Sequence, residues 1–562
     1  MNASIKLKSV QQVCHIFAQD KQVKKYMHHL KKQNFLGGAL VLAGAGLLVR
    51  LLGAGFRIPL ANIVGNYGMG LYQMVFPVYA LLLVIASSGI PVAISKMVAK
   101  ERTAKNFQEC RKILLNSLII LAVFGLLFAT LFTLLADNIA SLQGNEGNTK
   151  LYLAIAPAVL IVCLMAAFRG YFQGMSNMVP TAVSQLIEQT TKLAIGITLA
   201  VILLPRGVEW AVFGAILGTT IAEVFALAFL SITYLAHLRK AKREEKGQER
   251  VGTLTVRMVD LRLMWRIFKT ALPITFLASV FPLILVFDSL VVVKMLTEAG
   301  ESTRDATRLF GISTGAVHTL VNMPAVLAIA IGLAIVPMAA KLLKQGKKEE
   351  VKQKFFLSIK IIVVIAFFFS LFYLVFAGEL INFVYARAFH ENPSQIPVAV
   401  NLLRMESAMI FLVGLSTIFT SLLQGSDRSY LPLISLIIGG AAKIGFQLAL
   451  IGTLGIYAVS IGNILCFTIA LSLNIFWVMR FMKLKPRVTK QGLSIKARLG
   501  LLIGIYIGIL FLLKFLLPPG KGWIILAGAT AFLGYVIMVL VLRIFPIRIV
   551  NFIKKRGKSI QE

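Results

Sequence analysis

The chain has 562 residues, 58% of them hydrophobic, and a mean hydropathy of +0.83, which is more apolar than a soluble globule needs in order to fill its core. A formal charge of +35 raises nucleic-acid binding, but the Lys and Arg gather in the tails and in alternate loops, so the charge reads as membrane topology. Apolar runs of twenty or so residues recur along the chain, each long enough to cross a hydrocarbon layer of ~30 Å at ~1.5 Å per residue. The pattern predicts an all-α polytopic membrane protein with fourteen spans.

In chain order, residues 1–34 form a basic tail that carries Lys6, Lys8, Lys21, Lys24, Lys25, Lys31 and Lys32. Six spans follow at 35–64, 70–95, 113–136, 151–173, 178–204 and 210–237, making an N-lobe over 35–237. The first run is too long for the apolar core of a cleaved signal peptide and reads as a retained span. A basic link over 238–266, "LRKAKREEKGQERVGTLTVRMVDLRLMWR", separates the lobes. The C-lobe, 267–480, has spans at 267–293, 309–340, 355–377, 396–423, 430–451 and 455–480. A loop over 481–498 leads to two further spans at 499–517 and 522–544, within 499–544, and a basic tail over 545–562 ends the chain. The intervening loops, such as "LQGNEGNT" and "GELINFVYARAFHENPSQ", are poor in Lys and Arg. This alternation places both termini and the 238–266 link in the cytoplasm of a bacterial plasma membrane, with anionic lipid attracted to the basic segments. Cys14, Cys110, Cys163 and Cys466 have no CxxC spacing and read as small core residues rather than as zinc ligands or a disulfide framework.

Two cytoplasmic turns share one wording. "FRGYFQGMSNMVP" at 168–180 and "FTSLLQGSDRSYLP" at 419–432 align their Phe and Gln-Gly at an offset of 251 residues, and Lys192 and Lys443 keep the same offset. An echo between Pro77–Pro91 and Pro324–Pro337 aligns the second span of each half. Spans 1–6 and 7–12 are therefore expected to be two copies of one six-helix unit in the same orientation, an architecture used by transporters that rock about a site between lobes.

The stretches "RLLGAGFRIPLANIVGNYGMGLYQMVFPVYALLLVIASSGIPVAISKMVAK", "FQG…VPTAVSQLIEQTTK" and "LQG…LPLISLIIGGAAK" resemble the polysaccharide-export branch of the MOP (MATE-like) flippases. Within it the chain is similar to the YtgP/SpoVB group, related to MurJ-type lipid II flippases. The resemblance covers about residues 35 to 545. It implies two lobes with the last two helices packed outside, and a cargo of isoprenoid-linked saccharide pyrophosphate, flipped from the inner to the outer leaflet by a monomer. The runner-up is a cation-coupled MATE-type multidrug exporter with the same architecture. No P-loop, HExxH or nucleophile arrangement appears, so no enzyme is expected and no cofactor. A sodium or proton gradient, or consumption of the flipped product, is left to drive the cycle.

Charges inside spans carry the expected mechanism, because an ionisable group in hydrocarbon costs several kcal/mol unless it has a partner or faces a wet cavity. Arg50 and Arg57, seven residues apart, share a helical face about 10 Å apart along the axis, a spacing suited to a diphosphate held by planar guanidinium forks. The resemblance carries over onto the same two positions, since MurJ-type proteins have an arginine pair on this helix, one residue closer together. Their acid shortly after span 1 and their arginines in span 2 are missing from "GNYGMGLYQMV" and "YALLLVIASSGIPVAISK". Glu188 and Lys192 stand at i and i+4, positioned for an ion pair that either holds the fold or acts as a gate. Glu223 and Asp288 have no local cation, and each reads as a proton or sodium site or as a partner for Arg50 or Arg57 across the lobes. His318 and Asn322, also i and i+4, are expected to line the same cavity.

The charge pattern makes a direct demand on topology. A cysteine placed at position 245 should resist a membrane-impermeant maleimide in intact cells and react after permeabilisation; strong labelling from outside would invert the orientation.

Overall fold

The computed structural model describes residues 35–245, 259–482, 490–516, 522–542 and 544; the expectations for the 1–34 and 545–562 tails lie outside these residues. Thirteen helical runs are long and apolar enough to cross a membrane, and the first of them contains two spans. The helix Phe35–Ser87 is parted at Gly65, whose φ of 69° and ψ of −178° suit a residue without a Cβ. On a straight helix Phe56 and Tyr72 would stand ~24 Å apart, yet their ring centroids are 6.0 Å apart. The chain folds back at Gly65 into α1 (35–64) and α2 (66–103), the latter broken at Ser88 before its second arm, Gly89–Thr103.

The N-lobe continues with α3 (Phe107–Leu134), α4 (Thr149–Gly174), α5 (179–203, with a π-turn at Lys192–Gly196) and α6 (Val208–Glu245). The C-lobe contains α7 (Leu261–Glu298), α8 (303–344, with a π-turn at Gly311–Val317), α9 (Lys348–Val384), α10 (Ile396–Gly425), α11 (Tyr430–Leu454) and α12 (Tyr457–Met482). The last pair is α13 (Lys490–Leu516) and α14 (Trp523–Val541). The expected order of fourteen spans holds. Three of the described spans, α3, α7 and α8, start on a side-chain cap, from Asn106, Asp260 and Ser302. The Asp260 carboxylate caps α7 by accepting from the amides of Arg262 and Leu263, and Lys112 of α3 reaches it at 2.9 Å. That lysine, with the Leu263 amide, holds the Asp260 carboxyl below its ordinary value. At the other end of the membrane, the Ser302 hydroxyl caps α8 by accepting from the Asp305 amide. The expected loop over 481–498 is helical from Lys490 onward: its charged residues ride on the first turns of α13.

The repeated wording marks a repeated turn. Ser176 after α4 and Asp427 after α10, 251 residues apart, both take left-handed backbone, with φ of 54° and 58°. Only one other non-glycine residue among those described does so.

The end of the molecule bearing these turns and the interlobe link is the basic end. Buried side chains form three clusters. The largest, at the far end, joins both lobes through residues such as Phe56, Tyr72, Phe310 and Tyr385. At the basic end the clusters are separate: Ile94, Cys110 and Met165 belong to the N-lobe, and Ile335, Phe355 and Ile418 to the C-lobe. The lobes are thus fused at the far end and part towards the basic end. Only the first turns of α7 depart from this, since Leu263, Ile267 and Ala271 lie against the N-lobe.

Neutral hydrogen bonds cross the far-end seam, beside the Arg304 guanidinium of α8 lying 5.3 Å from the Tyr67 ring centroid of α2. The Asn62 amide donates to the Val384 carbonyl at 2.7 Å and accepts from the Arg387 amide at 3.2 Å. Gln73 donates to the Thr314 carbonyl at 2.6 Å, one of the carbonyls in the α8 π-turn. Gly70 and Gly311 let α2 and α8 touch: a Cβ on Gly70 would enter the Thr307 backbone, and one on Gly311 would enter the backbone of Asn66 and Gly70. Outside the lobes, α13 and α14 lie on α9, where the Tyr506 hydroxyl donates to the Phe368 carbonyl, Tyr535 to the Val364 carbonyl and Lys514 to the Val375 carbonyl.

The glycine seam is testable. Gly70→Val or Gly311→Val should overpack the α2–α8 contact at a cost of about 1–3 kcal/mol, read as a lower unfolding temperature in detergent. Gly504→Val on α13, where a Cβ meets nothing within 4 Å, should leave the melt unchanged.

Candidate functional site

Arg57 is half-buried at the lobe interface. Its guanidinium lies 5.5 Å from the centroid of the Phe76 ring on α2. Seven residues nearer the basic end, on the same face of α1, Arg50 is exposed. Among the described residues neither has a carboxylate within 4.0 Å. Arg57 thus sits where the lobes meet, and Arg50 lies on the side towards which their buried clusters separate.

The acids are held elsewhere. In the N-lobe Arg169 of α4 donates through Nη2 to Glu188 Oε2 at 2.9 Å and through Nε to the Ser184 hydroxyl at 3.1 Å. Glu223 of α6 is 1% exposed; its Oε1 accepts from the Tyr79 hydroxyl at 3.1 Å and its Oε2 has no partner. Arg169, Glu188 and Glu223 line one chamber of about 320 Å³ between α1, α2, α4, α5 and α6. Lys192 does not pair with Glu188, which corrects the i, i+4 expectation. Its ammonium donates to the Tyr72 hydroxyl at 3.1 Å and lies 4.9 Å and 4.7 Å from the centroids of Phe56 and Phe76. An i, i+4 ion pair is worth only ~0.2–0.5 kcal/mol, so a guanidinium fork arriving from α4 and an aromatic cage on α1 and α2 decide where each side chain goes.

In the C-lobe Asp288 of α7 meets Lys443 of α11 at 2.5 Å, with both side chains nearly water-free. Asp288 therefore has a tethered cation and does not reach Arg50 or Arg57; Glu223, bonded to Tyr79, does not either. Glu406 of α10 is fully buried; its Oε1 accepts from the Ser460 hydroxyl of α12 at 2.7 Å, and its Oε2 lies 3.7 Å from His318 Nδ1 on α8. His318 and Asn322 are both half-buried. His318 is turned to Glu406, while Asn322 has no hydrogen-bond partner among the described residues.

The C-lobe also has a chamber, of about 630 Å³, between α7, α8, α10, α11 and α12. It is the internal copy of the first. Val162, Met165, Ala166, Arg169 and Gln173 of α4 line one chamber, and the residues 251 further on, Val413, Ser416, Thr417, Thr420 and Gln424 of α10, line the other. Glu223 and Asn474 keep the same offset. The positions correspond while the chemistry differs, charged in the N-lobe and neutral in the C-lobe.

Several of these residues escaped sequence reasoning. Arg169 sits inside the repeated "FRG" wording, but its partner is 19 residues away and on another helix. Glu406 stood beside Arg404 on the wrong helical face, and its partners lie on α8 and α12. Tyr79, Thr420 and Asn474 carry no charge to attract notice; only the 251-residue offset singles out the last two.

Two six-helix lobes joined at a far-end seam, each with a chamber at the same repeat positions, are the architecture of a membrane transporter. The chain belongs to the polysaccharide biosynthesis protein family of the MOP superfamily: the family's sequence profile matches residues 35–343, and that of the MatE family matches 313–448. Stage V sporulation protein B of Bacillus subtilis (strain 168) is 28% identical over 83% of this chain and 87% of its own. Lipid II flippase MurJ of the same organism is 27% identical over 74% of this chain and 77% of its own. The inward-facing conformation of a multidrug resistance MATE family transporter of the MOP superfamily shares the fold, with a TM-score of 0.61 at 16% identity over 79% of this chain and 100% of the other.

A buried ion pair has a distinctive mutational signature. Asp288→Asn should strand the Lys443 ammonium and cost roughly 3–5 kcal/mol, and a double variant, Asp288→Leu with Lys443→Met, should recover most of that loss. Thermal melts of the purified variants close the cycle; additive losses would mean that the two groups are not coupled.

Proposed function

We propose that this transporter is a flippase that carries an undecaprenyl-pyrophosphate-linked saccharide, a lipid II-like peptidoglycan precursor or a polysaccharide repeat unit, from the inner to the outer leaflet by alternating access. The observation that carries this reading is the sign of the free charge in the cleft. Glu188, Asp288 and Glu379 each meet a basic group, and Glu223 and Glu406 each accept from a hydroxyl through one oxygen. Among the described residues Arg50 and Arg57 have no carboxylate partner. A cationic drug calls for the opposite arrangement, with carboxylates free and arginines neutralised, which ranks the MATE-type exporter second. The name of the Bacillus subtilis relative MurJ, a lipid II flippase, supports the same substrate class.

Under the positive-inside rule the basic end faces the cytoplasm, so the parted lobes give a cleft open inward, where a lipid-linked precursor is made. Two guanidinium forks ~10 Å apart along α1 bracket a diphosphate while the isoprenoid tail stays in the bilayer. For energy coupling, Glu223 is the better placed of the two acids considered, because Oε2 is free and faces a chamber, whereas Lys443 already occupies Asp288. The working unit is a monomer, its cleft complete within one chain.

The experiment is complementation of cells depleted of the native protein, with membrane levels measured for each variant. Arg50→Lys keeps the charge and loses the fork, so it should lose much of the activity. Arg50→Ala should lose about tenfold or more, the scale of one charge-assisted contact, and Arg57 should follow the same order less steeply. Robust complementation by a well-expressed Arg50→Ala, Arg57→Ala double variant would refute the pyrophosphate site and promote the drug exporter.

A further inference from the structure

The C-lobe chamber is not part of the arginine site, and its chemistry points to a different portion of a cargo. No Lys, Arg, Asp or Glu lines it, which makes it a poor host for an anion or a metal ion. Its volume, about 630 Å³, lies in the range of roughly 300–1,000 Å³ found for small-ligand sites. Ser416, Thr420 and Ser421 of α10 and Asn474 of α12 present their polar atoms along one wall, and Gln424 stands exposed at the basic-end mouth. Asn474 is only 1% exposed; its Nδ2 donates to the Thr420 hydroxyl at 3.3 Å, while its Oδ1 has no partner. Ser416 and Ser421 make no hydrogen bond to another protein group among the described residues. A polar atom buried without a partner, as Asn474 Oδ1 is, is costly, and a roomy chamber lined by it and by hydroxyls without protein bonds suits an occupant that donates and accepts neutral hydrogen bonds. Phe281 and Phe467, with ring centroids 6.4 Å apart, form an apolar wall beside this polar one.

We infer that this chamber is a saccharide subsite, which takes up sugar hydroxyls on the α10–α12 wall and the apolar face of a pyranose on Phe281 and Phe467. The inference rests on the flippase reading and deepens it. The pyrophosphate would be held by α1 of one lobe and the sugar by α7, α10 and α12 of the other, so that one cargo bridges the cleft. The contrast with the N-lobe chamber supports this division: at the same repeat positions Arg169 gives way to Thr420, Met165 to Ser416 and Glu223 to Asn474.

The test uses the purified full chain in phospholipid nanodiscs, titrated with undecaprenyl pyrophosphate and with undecaprenyl-pyrophosphoryl-N-acetylglucosamine. The native protein should bind the sugar-bearing carrier about tenfold tighter, the scale of one or two neutral hydrogen bonds. A Ser416→Ala, Ser421→Ala double variant, which removes no bond to protein, should bring that ratio towards one with affinity for the sugar-free carrier unchanged. Gln424→Ala, exposed at the mouth, should lower the ratio without touching packed interior. Equal binding of the two carriers by the native protein would overturn the subsite and leave the pyrophosphate reading standing, as would a preference that survives both variants. Failure of the native protein to bind either carrier would overturn both.

Discussion

A charge buried among membrane helices has to find its partner on another helix, because neither water nor lipid will supply one. In this protein those partners are found inside each lobe: Arg169 with Glu188 joins α4 to α5, Tyr79 with Glu223 joins α2 to α6, Lys443 with Asp288 joins α7 to α11, and Glu406 joins α10 to α12 and α8. Across the far-end seam the direct bonds are neutral, from Asn62 and Gln73 to backbone groups. Each lobe is therefore cross-linked by interactions whose rupture would leave a bare charge, while the seam is made of bonds worth about 0.5–1.5 kcal/mol each. The division between what stays rigid and what separates follows from this difference.

The helix α7 stands outside that division. Its first turns rest on the N-lobe, tied by Lys112 to Asp260, and its later turns carry Asp288 into the C-lobe. If one lobe rocks against the other, the movement has to be taken up within this helix, and Pro273 and Pro282 lie between the two attachments. A proline in a helix interior removes a backbone hydrogen bond and lowers the cost of bending there.

Most of the fold was legible because hydrocarbon thickness sets helix length, and long apolar runs announce it. The basic loops and the repeated Gln-Gly turn gave the order of the lobes, and the left-handed Ser176 and Asp427 explain why those turns are written alike. What the sequence could not deliver was any pairing between helices. Local spacing joined Glu188 to Lys192, and tertiary geometry parted them in favour of Arg169 and an aromatic cage. Asp288 looked solitary because its cation lies 155 residues away. The break between the first two spans, expected between 64 and 70, falls at the left-handed Gly65, and what the sequence left out is that helical backbone runs up to it on both sides. Arg50 and Arg57 stood out in the sequence as cations inside an apolar run, and among the described residues neither has a carboxylate within 4.0 Å.

The two chambers sit at matching places in two copies that run in the same direction through the membrane. Had the copies been inverted, one chamber would drain to each side and the pair would fill in alternation. Parallel copies behave differently: both are wetted from one compartment and both are cut off from it together. An ancestral half-length chain pairing with itself would have had two identical chambers and no means of telling one end of a cargo from the other. With both halves in one polypeptide, one copy can carry Arg169 where the other carries Thr420, a difference between the chambers that a symmetric dimer cannot have.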